Sequence, residues 1–282
     1  MTREFSLYLD LLRLSAALVV LLSHAVGYAY GPIAWWPGSL GHNAVIVFFL
    51  LSGYVIAYVA AEKETTAREF WASRLARIYS VAVPALALTL VADAIGLALD
   101  PGFYAGGLTT GDHTLVRLAA SLSFSNELWL VSIMPFSNSP YWSLCYEMAY
   151  YLLFALWCFG GAQRAWWVAA AALVVGPKIL LLAPIWLLGV LLYHHRPGYR
   201  IAESLGWALW IGSMAGIALF QWLDLTESLA AWLRGQVGDW LFTRLHFSKR
   251  FIGDYLLALL IAAHFVGFRR IARRFAAPLP LK

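Results

Sequence analysis

The chain has 282 residues, 62% of them hydrophobic and only 12% charged, with a mean hydropathy of +0.71; that is about half the charged fraction of a soluble globular domain, so the soluble class is excluded and most of the surface must face lipid. The net charge of +5 does not point to nucleic acid, because the basic residues lie at the ends of apolar segments, the pattern of cytoplasmic loops in a membrane protein. Two cysteines, Cys145 and Cys158, exclude a disulfide framework and read as small packing residues in apolar stretches.

A bilayer core of about 30 Å takes roughly 20 apolar residues per helix, fewer inside protein. On that criterion spans fall near Leu7–Tyr28, Asn43–Ala61, Ile78–Leu99, Trp142–Phe159, Ala165–Val175, Ile179–His194, Ser204–Leu223 and Gly253–Phe268. The expected fold is all-α: a polytopic transmembrane helix bundle of about eight spans. At the N-terminus Arg3 and Arg13 flank Glu4 and Asp10, and no small-residue cleavage site follows the first apolar run. This reads as a retained span, not a signal peptide. Leu115–Met134 is apolar but interrupted by Ser121, Ser123, Ser125, Asn126 and Glu127. Polar side chains at membrane depth need a protein or water-lined setting, so this stretch reads as re-entrant or interfacial. Gly176, Pro177 and Lys178 break the fifth expected span from the sixth, and Asp224–Ile252 reads as a long loop.

Counting Lys and Arg places the N-terminus in the cytoplasm. Lys63, Arg68, Arg74 and Arg77, the turns at Arg164 and at Arg196 and Arg200, and the tail Arg269, Arg270, Arg273 and Arg274 then fall on one side. The opposite loops Gly31–His42 and Asp100–Thr114 carry no Lys or Arg. The loop Asp224–Ile252 resists, with Arg234, Arg244, Lys249 and Arg250, but long loops weigh little in this rule.

Ionisable residues within a span are costly and therefore functional candidates. The first span holds Asp10, Arg13 and His24. Eleven positions are about three helical turns, so Arg13 and His24 share a face, separated by roughly 16 Å along the axis. The alternative is structural, with Arg13 snorkelling to headgroups and His24 bonding a neighbouring helix. An imidazole titrates near neutral pH and serves as a general base, and a guanidinium fork suits phosphate.

Four motifs in order carry a family resemblance. Leu9-Asp10-Leu11-Leu12-Arg13-Leu14-Ser15-Ala16-Ala17 with Ser23-His24 comes first, then Phe48-Phe49-Leu50-Leu51-Ser52-Gly53-Tyr54. Arg74-Leu75-Ala76-Arg77-Ile78-Tyr79 follows, then Tyr141-Trp142-Ser143-Leu144-Cys145-Tyr146-Glu147. Together they resemble the acyltransferase-3 family of integral membrane, acyl-CoA-dependent O-acyltransferases. The resemblance implies that Arg13 and His24 are essential for acyl transfer and that Arg74 and Arg77 engage the CoA donor. It makes Ser52, Gly53, Trp142, Ser143 and Asp10 supporting residues. Read from the residues alone, Ser52 and Gly53 permit close helix approach, and Arg74 and Arg77 are either a clamp for phosphate oxygens or ordinary anchors at a span edge. Glu147 lies about 7 Å into its span and His24 about 25 Å from the inner end of its own, which makes them nearly level in a roughly 30 Å core. A carboxylate there can orient an imidazole, or can pair with some other helix.

The resemblance implies transfer of an acyl group, acetyl foremost, from acyl-CoA on the cytoplasmic side to a hydroxyl of a carbohydrate or cell-surface glycan. His24 then acts as base or as acyl carrier, acyl-CoA is a co-substrate, and no cofactor is permanently bound. The expected location is a bacterial inner membrane, and the partners are the bilayer, the donor and the acceptor. The expected organisation is one membrane-embedded domain over residues 1–282 that lacks the family's last two spans, because no Ser-Tyr-x-x-Tyr-Leu-x-His-like segment follows Arg274. A transporter or flippase using Arg13, His24 and Glu147 as a relay is the rival reading, and a non-catalytic scaffold is a second. No His or Cys spacing suggests a metal, and His113, His194, His195, His246 and His264 read as structural.

Overall fold

The computed structural model describes residues 2–30, 39–105, 112–195 and 201–275, without the side chains of 27–30, 103 and 105. Arg196, Arg200, Pro278, Pro280 and Lys282 lie outside these residues, as does most of the expected loop Gly31–His42. The described residues form helices and no strand. In chain order these are α1 (Arg3–Tyr30), α2 (Leu40–Glu62), α3 (Ala67–Leu99), α4 (Pro101–Ala105), α5 (Thr114–Leu122), α6 (Trp142–Phe159), α7 (Arg164–Val175), α8 (Pro177–His195), α9 (Glu203–Trp222), α10 (Leu225–Arg244) and α11 (Phe251–Ile271).

Six of these are long and apolar enough to cross a membrane: α1, α2, α3, α8, α9 and the run His246–Phe275 that contains α11. The expected spans Trp142–Phe159 and Ala165–Val175 correspond to α6 and α7, which are not among the six. At 12 residues, α7 reaches only about 18 Å, too short to cross a bilayer core alone. The expected loop Asp224–Ile252 is mostly helix α10, broken at Gly238, where φ is 77°. Its apolar residues alternate with Glu227, Arg234 and Asp239, so no continuous apolar run marks it.

The helices gather into two compact units. The first takes in the described parts of Met1–Val59, Leu182–Phe242 and Lys249–Lys282; the second takes in Ala60–Leu181 and Thr243–Ser248.

In the first unit, Leu7, Leu11, Leu14, Leu18 and Leu21 are exposed along α1, while Phe5, Leu9 and Ala16 are buried on its opposite stripe. An i, i+4, i+7 pattern of this kind turns one face to lipid and one to protein. Helices α2 and α8 cross backbone to backbone: a Cβ on Gly53 would collide with the Trp186 carbonyl, and one on Gly189 with that of Leu50. Helix α11 packs on α9 in the same way, since a Cβ on Gly267 would come 2.6 Å from the Trp210 nitrogen. Arg270 donates to the Ile201 carbonyl at 2.7 Å and Arg274 pairs with Glu203 at 2.8 Å, fastening the expected basic tail to the start of α9.

In the second unit, a capping box starts α3. The Thr66 hydroxyl accepts from the Glu69 amide at 3.2 Å, and the Glu69 carboxylate accepts from the Thr66 amide at 3.2 Å. Helix α3 therefore begins at Ala67, ahead of the expected Ile78, and runs for 33 residues. Its buried stripe is Phe70, Arg74, Ile78, Ala82, Leu86, Thr89 and Asp93, and the Phe70 ring lies among those of Tyr151, Phe154 and Phe159.

The stretch Leu115–Met134 does not form one crossing helix. Helix α5 ends after nine residues, and the chain turns back so that Arg117 donates to the Met134 carbonyl at 2.7 Å. The same guanidinium bonds Asp112 and holds that carboxyl below its ordinary range. Ser121, Asn126 and Glu127 are all 0% exposed. Glu127 pairs with Lys178, and the Trp129 amide donates to the Val175 carbonyl at 3.0 Å, against Gly176. Gly176 has φ of 86°, a left-handed conformation that glycine adopts without strain. A Cβ there would also meet the Trp129 backbone at 2.6 Å, so the break between α7 and α8 is the seat of the segment expected to be re-entrant or interfacial.

Candidate active site

In the first unit, α1 is unbroken from Arg3 to Tyr30 and carries Arg13 and His24 on one flank of its packed stripe. Both are half-buried, opposite the lipid-facing leucines. The shared face read from their spacing is thus the protein side of the helix. Arg13 donates to Asp10 at 2.9 Å, one turn earlier, and Asp10 is the more exposed partner. A Cβ on Gly41 would come 2.9 Å from Ser23 Cβ, so α1 and α2 touch one residue before His24.

Ser52 accepts from the Trp186 indole at 3.3 Å, and Gly53 lies under the Trp186 carbonyl, so this motif holds the α2–α8 crossing. Backbone cannot move aside as a flexible side chain can. Gly53→Ala is therefore expected to destabilise the protein by about 3 kcal/mol, the upper part of the overpacking range. Thermal unfolding in detergent measures it, against Gly212→Ala as a control, where an added Cβ meets nothing within 4 Å.

In the second unit the two arginines part company. Position 74 lies on the buried stripe of α3, whereas three more residues rotate position 77 off it. Arg74 is 5% exposed and donates to Glu64 at 2.7 Å and to Ser73 at 3.0 Å, with its guanidinium 5.0 Å from the Phe70 ring centre. Its Nε has no acceptor among the described residues. Arg77 is exposed. Glu147 is half-buried on α6 and accepts from the Tyr151 hydroxyl, and both lie within electrostatic reach of Arg74. One partner of Glu147 thus belongs to its own helix, and the Arg74–Glu64 pair, Tyr151 and Glu147 form one charged cluster. Trp142 stacks on Phe247 at 4.4 Å and meets Tyr146 edge-on at 4.9 Å, while Ser143 donates to the Pro140 carbonyl at 3.1 Å. Both residues fix the start of α6.

Three polar groupings escaped the reading by motif. His42 Nε2 lies 3.0 and 3.1 Å from the two carboxylate oxygens of Asp254, in the first unit. Also there, His264 joins the Tyr8 hydroxyl to Ser213, and Trp210 donates to Tyr8 at 2.9 Å. Lys178 and Glu127 are the third grouping, in the second unit. Asp254 and His264 fall in the expected span Gly253–Phe268, so the rule that singled out His24 applied to them equally. Among the described residues no group of three or more His, Cys, Asp or Glu is placed to hold a metal ion.

Six helices long and apolar enough to cross a membrane, with a surface of exposed leucine, valine and tryptophan, define an all-α integral membrane helix bundle. The chain belongs to the acyltransferase-3 family: a family model described as an acyltransferase domain matches residues 6–279, across both units. It is 35% identical over 148 residues to a Streptomyces mycarofaciens protein named acyltransferase MdmB, covering 50% of this chain and 36% of that relative. It is 31% identical over 199 residues to protein 2 in the picA locus of Rhizobium radiobacter, covering 64% of this chain and 95% of that protein. The chain thus spans little more than a third of the length of the first relative. No solved structure matches.

Proposed function

We propose that the protein transfers an acyl group, acetyl foremost, from acyl-CoA to a hydroxyl of a carbohydrate or cell-surface glycan. The observation that carries this reading is the common flank of Arg13 and His24 on α1, half-buried and turned away from the lipid-facing leucines. A cation and an imidazole so placed can hold an anionic donor and handle the proton that acyl transfer must move. Arg74 and Arg77 of the second unit serve the donor. Arg77 is open to a phosphate, and Arg74 is oriented by Glu64, its Nε–H without an acceptor among the described residues. Glu147, in the charged cluster with Arg74 and Tyr151, steadies that cation. The membrane is a bacterial inner membrane, with the N-terminus and the donor on the cytoplasmic side.

Donor binding is tested by thermal unfolding of the purified full chain with acetyl-CoA. A ligand at about 100 times its Kd stabilises by about 2.7 kcal/mol. Arg77→Ala is expected to weaken that protection at fixed acetyl-CoA while leaving the ligand-free melting point within a degree or two, because Arg77 is exposed. A wild-type protein that acetyl-CoA does not protect, and that moves no acetyl group to any glycan offered, sinks the reading in favour of a transporter or scaffold.

A further inference from the structure

The positive-inside rule gives a reason for the basic tail of the first unit but none for the basic residues around α10. Arg270 and Arg274 tie the end of α11 to the start of α9, so α10, which joins the other ends of these two helices, lies away from that tail. On the topology expected from the charge count this end faces away from the cytoplasm, where cations gain nothing from the rule. Three nevertheless converge there. Across the bend at Gly238, Arg234 pairs with Asp239 at 2.5 Å, and its guanidinium lies 6.0 Å from the centre of the Phe242 ring. The Lys249 ammonium lies 5.5 Å from the centre of the same ring, within electrostatic reach of Arg250, Glu227 and Arg234. Arg250 pairs with Glu227 at 2.6 Å, and half-buried Lys249 has no hydrogen bond or ion pair among the described residues. Two carboxylates thus answer three cations, and like charges gathered at one ring are unfavourable until an anion joins them.

We propose that Arg234, Lys249 and Arg250 form a binding site for the headgroup phosphate of an anionic membrane lipid. A guanidinium fork takes two phosphate oxygens, and the ammonium adds a point charge beside it. The surroundings make that phosphate a lipid's rather than a free ion. Trp232 and Trp240 on α10 are 57% and 66% exposed, and Trp222 at the end of α9 is 81% exposed; indole rings settle at headgroup level, one edge apolar and the other wet. Helix α10 is not among the helices apolar enough to cross a membrane. Its buried stripe Thr226, Ala230 and Leu233 turns one side to the bundle, and a Cβ on Gly253 of α11 would come 3.1 Å from the Thr226 Cα. The helix therefore rests on the rim of the unit with aromatic and basic residues open, the composition of a helix that lies in a lipid interface. A lipid held both by α10 and by the turn ahead of α11 bridges two segments whose cations otherwise repel, so it steadies this corner of the unit as well as being selected by it.

The purified full chain in detergent is offered phosphatidylglycerol, phosphatidylcholine or inorganic phosphate; native mass spectrometry counts what stays bound, and thermal unfolding measures protection. The wild-type protein is expected to retain phosphatidylglycerol and be protected by it, less so as salt rises, and to respond much less to the other two. Arg234→Gln with Lys249→Gln is expected to weaken phosphatidylglycerol binding about 30-fold, the worth of two cations at an anionic surface. Arg68→Gln with Arg273→Gln, which removes as much charge from exposed positions elsewhere, leaves it unchanged. Asp239→Asn is expected to tighten binding severalfold, because the carboxylate competes with the lipid phosphate for Arg234, and a role in packing alone predicts no gain. Equal binding by the wild-type protein and the Arg234–Lys249 double variant overturns the inference. So does protection by inorganic phosphate as strong as that by phosphatidylglycerol, which marks a free-anion site. Protection by polygalacturonate, an acidic polysaccharide, with none by phosphatidylglycerol overturns it too, and marks a glycan surface.

Discussion

His24→Ala is expected to lower acyl transfer by the purified protein about 10²- to 10⁴-fold, which corresponds to about 2.7 to 5.5 kcal/mol of lost transition-state stabilisation. The size follows from what the imidazole alone supplies on α1. Arg13 bears a permanent charge and cannot exchange a proton, and Asp10 is tied to Arg13. The fold should survive, because His24 is only half-buried on the flank of its stripe, and alanine is a good helix former. Acetyl transfer from labelled acetyl-CoA, followed beside the melting point, measures both. A variant that keeps the wild-type rate removes His24 from the mechanism.

Lys178→Ala is expected to destabilise the protein by about 3 to 5 kcal/mol, because it strands a carboxylate in a buried site. Both side chains of the Lys178–Glu127 pair are 0% exposed, and Lys178 also donates to the Val131 carbonyl. The pair ties the re-entrant segment to the first turn of α8, so its loss should loosen the residues around Trp129 before the rest of the unit. Replacing both partners, Lys178→Met with Glu127→Gln, is expected to recover most of the loss, since the uncompensated charge is then gone. Denaturant unfolding of the two variants in one detergent gives the comparison. Equal destabilisation by both would show that the charge is not what matters.

Much of the helical framework could be read directly because length and apolarity are local properties. The first two spans, Ile179–His194 and Gly253–Phe268 fall within helices of the structure, and Ser204–Leu223 overruns α9 by one residue. That Leu115–Met134 is not a single crossing helix was legible because its polar residues have no place against lipid. Helix α10 was not, since a search for apolar runs passes over a helix whose hydrophobic residues are spaced among charged ones. The α3 extension had a local sign in Thr66 and Glu69, a capping box ahead of the apolar run. Among the candidate residues, placement was legible where both lie on a single helix, as with the common flank of Arg13 and His24. It was not where partners are distant in sequence: His42 and Asp254 are 212 positions apart. The inward turn of Arg74 likewise depends on Glu64, ten residues upstream in the loop between α2 and α3.

Helix α3 has one more consequence for how a charged donor is met. Its 33 residues reach about 50 Å, well beyond a hydrocarbon layer of about 30 Å. The apolar part from Ile78 to Leu99 is long enough to fill that layer by itself, which leaves the segment with Arg68, Glu69, Arg74 and Arg77 for its edge, Arg74 turned in against Glu64 and Phe70 and Arg77 exposed. If the proposed donor is met at this segment, its phosphates would keep their water, and only an uncharged thioester arm would have to go deeper.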